Sequence, residues 1–94
     1  MIVGVLTVDL AIFEAQSLKD KRRVIQGLKQ KLRNRFNVSV AEVEYANAAK
    51  RSRLGIVMVT GESRPLHSQL DKIVEMVRRT HGLTLVDYSR EWIG

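Results

Sequence analysis

Two stretches with a 3.6-residue apolar period, at 17–36 and 63–82, each stand between runs that alternate or are apolar throughout. That order constrains the fold more than any single motif does. Residues 2–12 read as a first strand whose first half is apolar on both faces, as a central strand requires, with Asp9 on the more exposed side. Phe13-Glu14-Ala15-Gln16 connects it to a helix. Ser17 is a good N-cap, and Asp20 three residues on completes a Ser-x-x-Asp capping box. At 100° per residue, Leu18, Val24, Ile25, Leu28, Leu32 and Phe36 fall within an arc of about 120°, the core stripe. Lys21 points into the same arc.

Residues 37–45 read as a second strand in which Val38 and Val40 alternate with Ser39 and Ala41. Val43 and Tyr45 break that parity, which calls for a bulge near Ala41-Glu42 or burial on both faces. Residues 46–53 have no apolar pattern and read as a basic hairpin loop, and 54–61 are a nearly all-apolar third strand. Ser63 is the expected cap of a second helix with Pro65 in its first turn. Its core stripe is Leu66, Leu70, Ile73, Val74 and Val77, and Gly82 stands where a left-handed C-terminal residue is wanted. Residues 83–92 form a last strand, marked as an edge by Asp87, Ser89 and Arg90. The order βαββαβ leads to an α+β, ferredoxin-like sandwich spanning residues 1–94 as one domain. Its four-stranded antiparallel sheet has the order 4-1-3-2, with two helices on one face.

In that arrangement the start of the first helix, the hairpin between strands 2 and 3 and the end of the second helix meet at one end. The net charge is +6, and the first helix alone carries eight cations against the single acid Asp20. The second helix offsets much of its own charge with Asp71 and Glu75, the latter paired at i,i+4 with Arg79. Ser17, Lys19, Lys21, Arg22, Arg23, Lys50, Arg51 and Arg53 are therefore the candidate anion or nucleic-acid ligands, helped by the positive end of the helix dipole. Arg78 and Arg79 join them at the same end. Lys31, Arg33 and Arg35 complement the other end of that dipole. Lys21 has two readings: its stem covers the core edge while the ammonium reaches solvent, or the charge points inward to a phosphate or to Glu42.

Several classes fall away. The chain has no cysteine, hence neither a disulfide framework nor thiolate chemistry. The apolar run at 1–13 lacks a basic leader and a small-residue cleavage site, contains Asp9, and is shorter than the roughly 20 residues a membrane helix needs. A cytoplasmic protein without a membrane partner is expected. His67 and His81 lie fourteen residues apart, without metal-pair spacing, and no Gly-rich phosphate loop or catalytic constellation is present, so no cofactor is expected and a binding module is favoured over an enzyme. Acylphosphatases share the expected fold, but their Gly-x-Val-Gln-Gly-Val-x-Phe-Arg loop has no counterpart here. RNA-recognition modules stack bases on sheet-face aromatics, whereas the central strands here offer Val3, Val5, Thr7, Val57 and Val59, with Phe13 the one aromatic near them. Three readings remain: docking on RNA or a ribosomal particle through the basic end, a homodimer through the aliphatic sheet face, or a small-anion pocket built on Ser17 and Lys21.

Gln16-Ser17-Leu18-Lys19-Asp20-Lys21-Arg22, Phe36-Asn37-Val38-Ser39-Val40-Ala41-Glu42-Val43 and Leu54-Gly55-Ile56 together resemble the YlxP-like family of small prokaryotic proteins of unknown function. The resemblance implies a ferredoxin-like fold and a gene context near translation-initiation and ribosome-maturation factors, with no assigned activity. Where that family often shows an Asp-Leu-Trp-Gln-Arg-like segment, this chain reads Asn47-Ala48-Ala49-Lys50-Arg51, keeping the Arg and not the aromatic.

Overall fold

A computed structural model describes residues 1–94, except for the side chain of Ser63. The elements are β1 (Ile2–Ala11), α1 (Leu18–Arg35), β2 (Ser39–Glu44), β3 (Arg51–Thr60), α2 (Ser63–Arg78) and β4 (Thr84–Ile93). They build one antiparallel sheet ordered β2-β3-β1-β4, which is the expected ferredoxin-like arrangement. The all-apolar β1 and β3 lie in the middle and pair over ten residues, from Ile2 opposite Thr60 to Ala11 opposite Arg51.

Burial alternates along the central strands. Leu6, Val8 and Leu10 of β1 and Leu54, Ile56 and Met58 of β3 are buried beneath the helices. Ile25, Leu28 and Leu32 of α1 and Leu66, Leu70, Ile73, Val74 and Val77 of α2 close that layer from above. Each such aliphatic side chain contributes about 1.5–3 kcal/mol by leaving water, and this layer is the main driving force for the fold. Val3, Val5, Thr7, Val57 and Val59 take the other parity and form the open face.

The helix ends show how local chemistry sets the boundaries. Ser17 is extended at φ −156°, and its Oγ accepts from the Asp20 N–H at 3.1 Å. The Asp20 carboxylate reaches back one residue further than a capping box requires, to the Gln16 N–H at 3.0 Å. For α2 the expected cap moves by one residue: Glu62 occupies the N-cap position without a side-chain hydrogen bond, and Ser63 is already helical. Gly82 is left-handed as expected, with φ +90°, but it stands in the turn before β4, three residues beyond the right-handed Arg79 that caps α2.

The hairpin is shorter than its polar sequence implied. Arg51, Ser52 and Arg53 belong to β3, because Ser52 turns inward to hydrogen-bond and Arg53 lies across from Asp9. Polar residues with partners inside a sheet look like loop from sequence alone. The predicted slip in β2 is present one step later, where the register against β3 shifts between Glu42 and Glu44.

Two glycines give opposite predictions. A Cβ on Gly4 would sit 2.7 Å from Leu66 Cδ1 and 3.1 Å from two further atoms of the same buried side chain. Gly4→Ala is therefore expected to destabilise by about 1–3 kcal/mol through overpacking. Gly27 is exposed within α1 with nothing near a new Cβ, so Gly27→Ala should stabilise by about 1 kcal/mol. Thermal midpoints should move in opposite directions, the second by roughly 4–8 °C.

Candidate functional site

The end predicted to be basic is assembled around one buried charge. Lys21 is fully buried, with a side-chain exposure of 0%, and sits in the first turns of α1 facing the core. Its Nζ donates to Glu42 Oε2 at 2.8 Å and to the carbonyl oxygens of Tyr45 at 2.8 Å, Ala46 at 3.2 Å and Arg51 at 3.3 Å. Three N–H donors serve four acceptors, one of them shared. The stem does not carry the ammonium out to solvent; of the arrangements open to it, the pairing with Glu42 is the one adopted.

Glu42 completes the cluster by also accepting from Ser52 Oγ at 2.5 Å. Partial burial pushes its carboxyl pKa up, but the hydrogen bonds from Lys21 and Ser52 and the charges of Lys21 and Lys29 outweigh this and hold it below its ordinary 4.5. Tyr45 adopts φ +65°, a left-handed conformation uncommon for a bulky residue, with its carbonyl fixed on Lys21. Its ring lies under the Arg51 guanidinium at 4.1 Å and within 5.4 Å of that of Arg53.

Arg53 belongs to a second cluster on the opposite, open face. It donates to Asp9 Oδ1 at 2.5 Å and to Glu44 Oε1 at 2.6 Å. The register shift in β2 lets Glu42 and Glu44 face opposite sides of the sheet, so each carboxylate takes a different cation.

The structure thus divides the sequence candidates. Lys21 and Arg53 are engaged internally, and the Ser17 hydroxyl is occupied as the α1 cap. Lys19, Arg22, Arg23, Lys50 and Arg51 are exposed and enter no ion pair among the described residues. The hairpin is drawn against the end of β1 by the Ile12 N–H donating to the Lys50 carbonyl at 2.9 Å, and by Lys50 Nζ donating to the Phe13 carbonyl at 2.6 Å. The end of α2 closes in as well, since a Cβ on Gly82 would lie 3.4 Å from Val24. There Arg79 stands 3.7 Å from Glu75, and the Arg78 guanidinium lies 5.8 Å from the Tyr88 ring centre. At the other end of α1, Arg33 donates to the Val40 carbonyl at 2.9 Å, a tie to the edge strand that dipole reasoning did not foresee.

Phe13 is the residue sequence reasoning passed over. It lies beyond β1, in the turn closed by the Ala15 N–H to the Ile12 carbonyl, and is 69% exposed at the basic end. An aromatic isolated between Ile12 and Glu14, with no apolar period to absorb it, was the available signal. A groove of about 530 Å³ lies between α1 and α2 and is lined by both signs of charge, including Lys31, Arg35, Asp71 and Glu75. Among the described residues no group of three or more His, Cys, Asp or Glu side chains is positioned for a metal ion, and no helix is long and apolar enough to cross a membrane.

Comparison with known proteins gives two similarities. The profile of a family described as protein of unknown function, DUF503, matches residues 3–90. The uncharacterised protein YlxP of Bacillus subtilis (strain 168) is 28% identical over 75 residues, covering 80% of this chain and 82% of that one.

Removing the buried ammonium leaves the Glu42 carboxylate with Ser52 but no cation and takes a donor from the carbonyls of Tyr45, Ala46 and Arg51, so Lys21→Met should cost about 3–5 kcal/mol in urea unfolding. Because the folded pKa of Glu42 is depressed, its contribution is complete above the ordinary value of 4.5 and is lost as pH falls through the lower folded value. Glu42→Gln should accordingly be less stable than wild type at neutral pH, and the difference should shrink as pH falls below 4.5. A difference that stays constant across that range would exclude the ion pair as its source.

Proposed function

We propose, for a chain that belongs to the DUF503 family of proteins of unknown function, a binding module that docks on RNA or an RNA-containing particle through its basic end. The observation that carries this reading is the convergence of Lys19, Arg22 and Arg23 from α1 with Lys50 and Arg51 from the hairpin, exposed and outside every ion pair among the described residues. Cations held for stability alone are better served by partners, as Arg53 and Arg90 are. Cations grouped without partners concentrate positive potential where a polyanion can release its counterions. In this reading the five exposed side chains contact phosphates, while Lys21 and Arg53 fix the hairpin from the two faces of the sheet. The N-terminal end of α1 adds its dipole.

Such contacts position a partner without reading its sequence, so affinity should fall steeply with salt. Titration of a structured RNA at several salt concentrations tests this. Replacing Arg22, Lys50 and Arg51 together by Ala should lower the slope of log K against log salt by roughly 2–3. The same charge loss at the opposite end, through Lys31, Arg35 and Arg64 to Ala, should leave affinity nearly unchanged. Equal losses from the two triple variants would reduce the effect to net charge, and a wild type that binds only at millimolar concentration in low salt would end the proposal.

A second reading, a homodimer through the open face, is favoured by Val59 and Ile93, which are 57% and 56% exposed on that side. A second copy of the chain, laid face to face, would cover the valines of both central strands. Sedimentation over a concentration series should then show a monomer–dimer equilibrium that Val59→Lys abolishes. A strict monomer excludes this reading and leaves the RNA reading standing.

A further inference from the structure

We infer that the basic end takes an unpaired nucleobase as well as phosphates, with Phe13 as the stacking surface and the groove beside it as the base pocket. This rests on the RNA reading above and narrows it to single-stranded or looped RNA. Phe13 stands at the junction of two surfaces. On one side lie the hairpin cations, since Lys50 Nζ binds the Phe13 carbonyl at 2.6 Å and Arg51 pairs in register with Ala11. On the other side is a groove of about 250 Å³, lined by Ala11, Phe13, Glu14, His81, Gly82 and Thr84 among others. That volume lies below the range typical for whole small-molecule ligands and suits one planar ring.

An aromatic side chain 69% exposed buries little apolar area for the fold. Its backbone is nevertheless held by the turn to Ile12 and by the lysine bond, so the ring is presented from a fixed base. Base stacking on an exposed aromatic tolerates any base, and cations alongside it track the strand. Two polar walls then favour some bases over others. The Glu14 carboxylate offers only acceptors and suits the exocyclic amino group of cytosine or adenine, whereas it repels the O4 acceptor of uracil. His81 adds a second flat surface in the same groove. Duplex RNA keeps its bases stacked inward and cannot use the pocket.

The test compares oligocytidylate, oligouridylate and an RNA duplex, each of about 12 nucleotides, at one ionic strength. Wild type should bind the cytidylate strand more tightly than the duplex, although the duplex has the higher charge density. Phe13→Ala should weaken single-strand binding about 5- to 100-fold without changing the salt slope, and Phe13→Tyr should restore it. Glu14→Ala should narrow the gap between cytidylate and uridylate. If wild type binds no RNA, the inference falls together with the reading it rests on. If binding is salt-dependent but Phe13→Ala matches wild type, or the duplex binds better, the phosphate reading survives and the base pocket is refuted.

Discussion

The Lys21 ammonium is the constraint on which the rest of this end depends. It joins α1 to β2 through Glu42, to the hairpin through Tyr45 and Ala46, and to β3 through Arg51. A buried ion pair of this kind adds little net stability over an apolar substitute, because removing both charges from water offsets their attraction. What it supplies is position. Only one arrangement of helix, hairpin and strand gives the cation its full set of acceptors, and every alternative leaves a charge or a carbonyl unpaired in the core. The left-handed Tyr45 is maintained within that set, and its ring in turn supports Arg51.

Charge at this end is therefore used in two ways. Inside, Lys21 and Arg53 meet Glu42, Asp9 and Glu44 on the two faces of one sheet. Outside, Lys19, Arg22, Arg23, Lys50 and Arg51 have no such partners among the described residues. The bulge in β2 separates the two systems by turning Glu42 and Glu44 to opposite faces. Without it, both carboxylates would face one side and compete for the same cation.

Periodicity made the elements, the strand order and the core legible, since apolar spacing is what burial selects and is written residue by residue. Leu28, Leu32, Leu70 and Val77 could be placed without coordinates. The two segments on which the family resemblance rests, around Lys21 and around Glu42, prove to be the two that meet inside the protein. Which cations stay exposed was not legible, because that depends on partners far away in the chain. Arg53 looked like loop until it paired with Asp9, forty-four positions earlier. Ser52 broke the apolar pattern of β3 for the same reason. Phe13 was placed in the connection after the first strand, but its exposure follows from a turn whose hydrogen bonds no local spacing announces.

The burial of Lys21 also separates the lysines of this chain chemically. Its amine is fully enclosed and committed to four acceptors, whereas Lys19, Lys31, Lys50 and Lys72 are exposed. Acylation needs an accessible amine, which the exposed lysines present and the enclosed Lys21 does not. An acylating reagent, or an enzyme that acetylates lysine, can thus strip positive charge from the surface while leaving the internal one in place. Lysine fixes this end from within at Lys21 and supplies only part of its surface charge, beside Arg22, Arg23 and Arg51, and that part can be removed while the internal charge stays in place.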